Sequence, residues 1–124
     1  SMPFGKKNVD NSGSPQQLGD LFEEAVAHKN AERYDQCIAA LKKFTAAAEE
    51  APPGLPPPRT CDAYYMLGEC YKLSFFSSQL AVNNFCCALR DENKPTGMPD
   101  GTWVKRKSKI HHAIASVYAS PSKW

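Results

Sequence analysis

Apolar residues recur every three or four positions along the periodic segments of this chain, which is the spacing of one face of an α-helix. The most regular segment is 63–71, where Tyr64, Leu67 and Tyr71 share one stripe. Gly68 lies inside it, although glycine in a helix interior costs about 1 kcal/mol relative to alanine. A helix tolerates that cost where another backbone must approach closely. We therefore expect another helix to cross this segment at Gly68.

A first helix is predicted from a sharp start signal. Ser14 suits the N-cap, Pro15 the first helical position and Gln17 a capping box, and the helix runs to about Lys29. A second helix begins at Tyr34 and ends before the prolines that follow residue 51. The predicted buried stripes are Leu18, Leu21, Phe22, Ala25 and Val26 in the first helix, and Tyr34, Cys37, Ile38, Leu41 and Phe44 in the second.

Three more helices follow. Thr60 is the predicted N-cap of the third, which runs to about Leu73; Ser77 or Ser78 opens the fourth; the fifth starts near Thr102. The predicted stripes are Leu80, Ala81, Phe85, Ala88 and Leu89 in the fourth helix, and Trp103, Ile110, Ala113, Ile114, Val117 and Tyr118 in the fifth.

These elements predict one all-α domain over residues 14–119. Residues 1–13 are polar and aperiodic, which predicts a disordered leader in which Ser1-Met2 is typical of an expression scar; residues 120–124 form a tail. The proline-rich segment 51–58 favours a stiff polyproline II spacer between two helical hairpins. The alternative is a ligand for a proline-binding domain.

The order aromatic, Leu67-Gly68, Tyr71, then Ala81, Phe85 and Ala88 resembles a tetratricopeptide (TPR) repeat. The interval between Tyr71 and Ala81 is one residue longer than usual. The resemblance implies about five helices in antiparallel hairpins, stacked as a short right-handed solenoid with long inter-repeat links.

In that family the first helices of successive units line a concave surface, so the resemblance implies a protein–protein interaction module that binds a peptide or protein there. The predicted binding residues are Tyr65, Glu69, Lys72, Lys105, Arg106, Lys109 and His112. Phe22, Val26 and Met66 are also assigned to this face, where they could not clamp a carboxylate. The expected partner is therefore not the acidic tail of a heat-shock chaperone.

Two alternatives remain open. The run Lys105–Lys107, with Lys109, His111 and His112, puts cations early in the fifth helix against its dipole, which suggests an anionic partner; a solvated helix face is the plainer interpretation. A fifth helix without a hairpin partner also suggests self-association as a homodimer through Trp103, Ile114 or Tyr118.

Composition narrows the function further. The 124 residues are 42% hydrophobic and 23% charged with a net charge of +2, which disfavours nucleic acid as a partner and predicts no membrane span. No phosphate-binding loop, nucleophile motif or metal-ligand spacing is present, so we expect a non-enzymatic protein without cofactor or metal. The five cysteines are interpreted as small hydrophobes in a reducing compartment, and the location as cytoplasmic or, given the basic run, nuclear.

Overall fold

The computed structural model describes residues 15–50, 59–75 and 77–119, and within these ranges it is helical without a strand. Five α-helices follow in order: α1 (Pro15–Asn30), α2 (Tyr34–Glu49), α3 (Thr60–Cys70), α4 (Ser78–Ala88) and α5 (Asp100–Tyr118). The predicted all-α class is confirmed. None of the described helices is long and apolar enough to cross a membrane.

Some predictions concern segments outside the described residues. They are the leader 1–13, the Ser14 cap, the spacer 51–58 and the tail 120–124.

The helices pack as neighbours along the chain. The helix α1 packs against α2, α2 against α3, α3 against α4, and α4 against α5. One continuous core joins them, and its largest fully buried side chains include Phe22, Phe44, Phe85, Leu41 and Ile110. The amphipathic periodicity thus buries one stripe of every helix.

Gly68 of α3 lies against the ring of Phe85 from α4. A Cβ atom built there would lie 2.4 Å from Cε1 of Phe85, whose side chain is fully buried. The helix α4 does approach closely here, but through an aromatic ring and not through the backbone that the sequence led us to expect. Gly68 is therefore retained against helix propensity because a methyl group has no room.

The third helix does not continue as a regular α-helix to Leu73. The α-helix ends at Cys70, and Tyr71–Phe75 forms a π-helical turn. The hydroxyl of Ser74 donates to the carbonyl oxygen of Cys70 at 2.8 Å inside this turn. A π turn accommodates one extra residue without breaking the helix.

Two helix starts behave differently. Ser77 caps α4 as predicted, because its Oγ accepts a hydrogen bond from the amide of Leu80 at 3.2 Å. The Thr60 prediction is wrong: Arg59 occupies the N-cap position with φ 56°, and Thr60 is the first helical residue with a buried hydroxyl that has no partner. The left-handed conformation of Arg59 turns the chain into α3 in place of a side-chain cap. The fifth helix starts at Asp100, two residues before the predicted Thr102.

Some stripe and surface assignments also change. Leu80 was placed in the stripe of α4, but it is 43% exposed because it lies near the start of that helix. Of the α5 residues expected to be partly exposed, Tyr118 is 65% exposed, whereas Trp103 is buried. Phe22 was assigned to the accessible inner face but is only 2% exposed, and Met66 is partly buried with its Sδ 3.9 Å from Sγ of Cys37. Val26 packs against the core as well. A helical stripe about 100° wide includes such flanking positions, so the period alone does not separate core from groove.

The cysteines are all free thiols, and three of them are core residues. The thiol of Cys70 donates to Sγ of Cys37 at 3.6 Å across the α2–α3 contact. This hydrogen bond lowers the pKa of Cys37 and raises that of Cys70. Cys61 is also buried, whereas Cys86 is exposed.

Candidate binding groove between α3 and α5

The helices α3 and α5 lie side by side and are linked through side chains. The linked pairs are Arg106 Nη1 with Asp62 Oδ1 at 2.6 Å, Lys109 Nζ with the Tyr65 ring centroid at 5.3 Å, and Lys72 Nζ with Ser116 Oγ at 2.9 Å. The members of each pair are 44 positions apart (106 − 62, 109 − 65 and 116 − 72). A constant offset means that α5 and the α3 segment with its π turn run in the same direction. Their facing surfaces form the two walls of a groove.

The groove has a volume of about 420 Å³, within the usual range of ligand sites. Its lining residues are Tyr65, Glu69, Lys72, Leu73, Phe85, Lys109, His112, Ala113 and Ser116. The buried ring of Phe85 forms its floor and lies 5.4 Å from the Tyr65 ring, centroid to centroid. The π turn contributes Lys72 and Leu73, so the extra residue in the helix borders the groove directly.

Most of the predicted binding residues meet here. Five line the groove: Tyr65, Glu69, Lys72, Lys109 and His112. Arg106 lines a neighbouring recess of about 130 Å³ with Asp62, Tyr65 and Lys109. Lys105 is exposed on α5 and lines neither. Four further lining residues were not predicted from the sequence: Leu73, Ala113, Ser116 and Phe85. Of these, Leu73 could have been suspected, because it lies in the long interval between Tyr71 and Ala81.

The charges on the two walls are not equally compensated. On the α3 wall, Glu69 pairs with Lys29 at 3.4 Å, and Asp62 pairs with Arg106 at 2.6 Å. Lys72 and Lys109 have no carboxylate of the described residues within 4.0 Å. The groove therefore presents two uncompensated cations above an apolar floor.

Tyr65 contributes a neutral hydroxyl to this rim. Burial, and secondarily the nearby charge of Glu69, raise the pKa of Tyr65 above its ordinary value. The hydroxyl therefore stays protonated at neutral pH and is available both to donate and to accept.

A second and larger cleft, of about 680 Å³, lies between α1 and α2. It is lined by Gln17, Asp20, Leu21, Glu24, Lys43, Ala46, Ala47 and Glu50. It contains none of the predicted binding residues, and its charged lining is mainly acidic. The described part of the chain contains no group of three or more His, Cys, Asp or Glu residues placed to hold a metal ion.

The chain shows no significant match to protein-family models, to curated proteins or to solved structures. A function for the chain is therefore inferred from the geometry of the groove.

Proposed function

We propose that this chain is a non-catalytic protein-interaction module that binds a peptide segment of a partner in the α3–α5 groove. The hypothesis includes a TPR-like right-handed stack in which α1, α3 and α5 are the first helices of successive units. The observation that carries it is a groove walled by two parallel helices from different hairpins, with an apolar floor and a polar rim.

Further support comes from the way in which α1 joins α3. Lys29 pairs with Glu69 at 3.4 Å and Glu23 pairs with Arg59 at 3.3 Å, so later residues of α1 meet later residues of α3. Side-by-side first helices of equal direction are what a repeat stack requires. The close crossing at Gly68 agrees with the two-helix unit of that family.

The test is a peptide selection followed by mapping. Peptides selected from a random phage-displayed library on the immobilised protein should perturb backbone amide resonances of residues 65–73 and 109–116. Leu73→Ala should weaken binding about three- to tenfold, because Leu73 is 50% exposed at the groove and a bound peptide would bury it.

Val104→Ala is the matched control. Val104 is 56% exposed on α5 and does not line the groove, so its removal should leave the affinity within twofold. Selected peptides that perturb other surfaces only, or a selection without any binder, would overturn the proposal.

Self-association is the second candidate, and one observation favours it. Val104 and Tyr118 are large apolar side chains that α5 leaves 56% and 65% exposed. They are 14 residues apart, which is close to four helical turns, so they share one side of α5. A second copy could bury this side, and Tyr118→Asp would then abolish the dimer while helicity is kept.

A further inference from the structure

The nature of the partner can be inferred from the charges and spacing of the groove. On the premise that the proposed function holds, we propose that the partner segment is an extended peptide with two acidic side chains three residues apart, which pair with Lys109 and Lys72.

The sequence argued against a carboxylate ligand because three apolar residues were assigned to the binding face. These residues lie outside the groove. Phe22, Val26 and Met66 do not line it. The guanidinium carbon of Arg59 lies 3.9 Å from the ring centroid of Phe22 and covers that ring. Met66 contacts Cys37. The groove instead carries polar side chains on both walls, Glu69 and Lys72 on one and Lys109 and His112 on the other, beside the exposed side chain of Leu73.

Charge complementarity favours an acidic ligand. Both acidic residues of the α3 wall already have basic partners. Within the described part of the chain, Lys72 has only a hydroxyl as partner and Lys109 only an aromatic ring. A carboxylate placed near either ammonium group would form a charge-assisted hydrogen bond. A cation placed there would meet only acids that already have a basic partner, as far as the described residues go.

The spacing of the two cations determines the spacing of the acids. One contact across the groove joins Lys109 to Tyr65, and another joins Lys72 to Ser116. The two contacts are seven residues apart along each wall (72 − 65 and 116 − 109). Seven residues of helix rise roughly 10 Å, and three residues of extended chain span about the same distance.

The alternation of side chains supports the same spacing. Residues i and i+3 of an extended peptide point to opposite sides. Lys109 is on the α5 wall and Lys72 is in the π turn that continues the α3 wall, so the two acids would face opposite walls as required. Glu69, between the two levels on the α3 side, would repel a further acid there, and the intervening residues should be uncharged.

The experiment uses three pooled libraries of short peptides whose randomised positions are uncharged. The first, the matched-acid library, has two fixed glutamates three residues apart. The second, the amide library, has glutamines in their place, and the third, the close-acid library, has its two glutamates two residues apart.

Binding is measured by fluorescence anisotropy at about 50 mM salt, where surface charges are weakly screened, and it is mapped by amide chemical shifts. We expect the matched-acid library to bind most tightly and to perturb residues 65–73 and 109–116. Its binding should weaken as the salt concentration rises.

Variants then assign the two contacts. Lys72→Gln and Lys109→Gln should each weaken binding of the matched-acid library about three- to tenfold, the range for partly exposed ion pairs. Lys105→Gln removes the same charge from exposed α5 surface outside the groove and should change the affinity less than twofold. Circular dichroism checks that each variant stays folded.

The outcomes separate the two proposals. Equal binding of the amide and matched-acid libraries in the groove would overturn the acidic partner and leave the interaction module in place. Equal binding of the matched-acid and close-acid libraries would overturn the paired contacts. So would a loss of affinity on Lys105→Gln as large as that on Lys72→Gln or Lys109→Gln, because the cations of α5 would then attract any acidic peptide. If no library perturbs the groove while selected phage peptides do, the acidic motif is wrong; if neither does, both proposals fail.

Discussion

Two helical glycines, Gly68 and Gly19, have opposite surroundings. A Cβ at Gly68 would collide with the ring of Phe85 at 2.4 Å, whereas a Cβ at Gly19 in α1 would meet nothing within 4 Å. We expect Gly68→Ala to destabilise the protein by about 1–3 kcal/mol, because overpacking a buried contact outweighs the gain in helix propensity. Urea unfolding followed by circular dichroism measures the change.

Gly19→Ala is the matched control for this prediction. With open space around it, the same substitution should stabilise the protein by roughly 0.5–1 kcal/mol through helix propensity alone. A gain in stability at both positions would mean that α4 does not cross α3 at Gly68.

Tyr64 gives the protein a predictable response to alkali. Its hydroxyl donates to Oε2 of Glu49, and Nη2 of Arg90 donates to the same oxygen at 2.8 Å. Burial, and then this bond to Glu49, raise the pKa of Tyr64 from 10.0 to about 12. Because the folded-state pKa is the higher one, this stabilisation is complete below about pH 10 and is lost as the pH rises towards 12.

Tyr64→Phe should remove that contribution. Between pH 10 and 12, the free energy of unfolding should fall in both proteins, but by about 1–2 kcal/mol less in the variant than in the parent. This value is reduced for partial solvent screening. Urea unfolding at several pH values in this range measures it. An identical alkaline loss in both proteins would show that Tyr64 ionises as freely when folded as when unfolded.

Glu49 should show the complementary effect in acid. The hydrogen bond from Tyr64, followed by that from Arg90, lowers the pKa of Glu49. Its stabilisation is therefore present above the ordinary pKa of a glutamate and is lost as the pH falls through the lowered value. Carbon-13 titration of the side-chain carboxyl should place the pKa of Glu49 lower in the parent protein than in Tyr64→Phe.

At the level of helices, most boundaries were predictable because local signals set them. Pro15, Ser77 and the prolines after residue 51 act within one turn of the chain, and α1, α2 and α4 begin or end within a residue or so of the expected positions. The π turn had only an indirect sign in the sequence: the interval between Tyr71 and Ala81 is one residue longer than in the repeat that the sequence resembles. The sequence could not specify whether that residue would lengthen a loop or distort the helix.

The pairing of α3 with α5 was not predictable in detail. The stripe of each helix defines which side faces the core, but contacts such as Lys72 with Ser116 depend on how far one helix slides along another. Polar positions beside the stripe, such as Glu69 and Lys109, line the groove because they flank the buried face. Phe22 was a wrong candidate because it belongs to the core, and Met66 because it is partly buried against the core.

Arg106 is expected to join these helices more than to bind a partner. Its Nη1 lies 2.6 Å from Oδ1 of Asp62, and the two side chains are 31% and 35% exposed. Arg106→Gln should destabilise the protein by about 1 kcal/mol, because a partly buried carboxylate loses its partner. Thermal unfolding, with Lys105→Gln as the exposed control on α5, measures the difference.

A double-mutant cycle with Asp62→Asn isolates the pair itself. Arg59 also lies 3.8 Å from the other carboxylate oxygen of Asp62, so part of the interaction can be retained. A coupling energy near zero would mean that Arg106 does not join the two helices and is available to bind a partner.

For the whole molecule, the leading proposal requires a groove that stays open in solution. Val104 and Tyr118 are the most exposed large apolar side chains of α5, yet two side chains offer a few hundred Å² at most, whereas stable interfaces bury about 1,200–2,000 Å². We therefore expect a monomer at micromolar concentration in sedimentation velocity. A dimer that Tyr118→Asp abolishes without loss of helicity would instead favour self-association.

The uneven exposure of the cysteines makes the protein easy to label at one site. Cys37, Cys61 and Cys70 are shielded in the core and Cys87 is partly covered, so Cys86 on α4 is the thiol that a maleimide dye meets first. Burial also raises the pKa of Cys61 and Cys87, which slows their reaction further. A dye attached at Cys86 on the native chain, with no engineered cysteine, would give a fluorescent reporter whose rotation slows when a large partner docks.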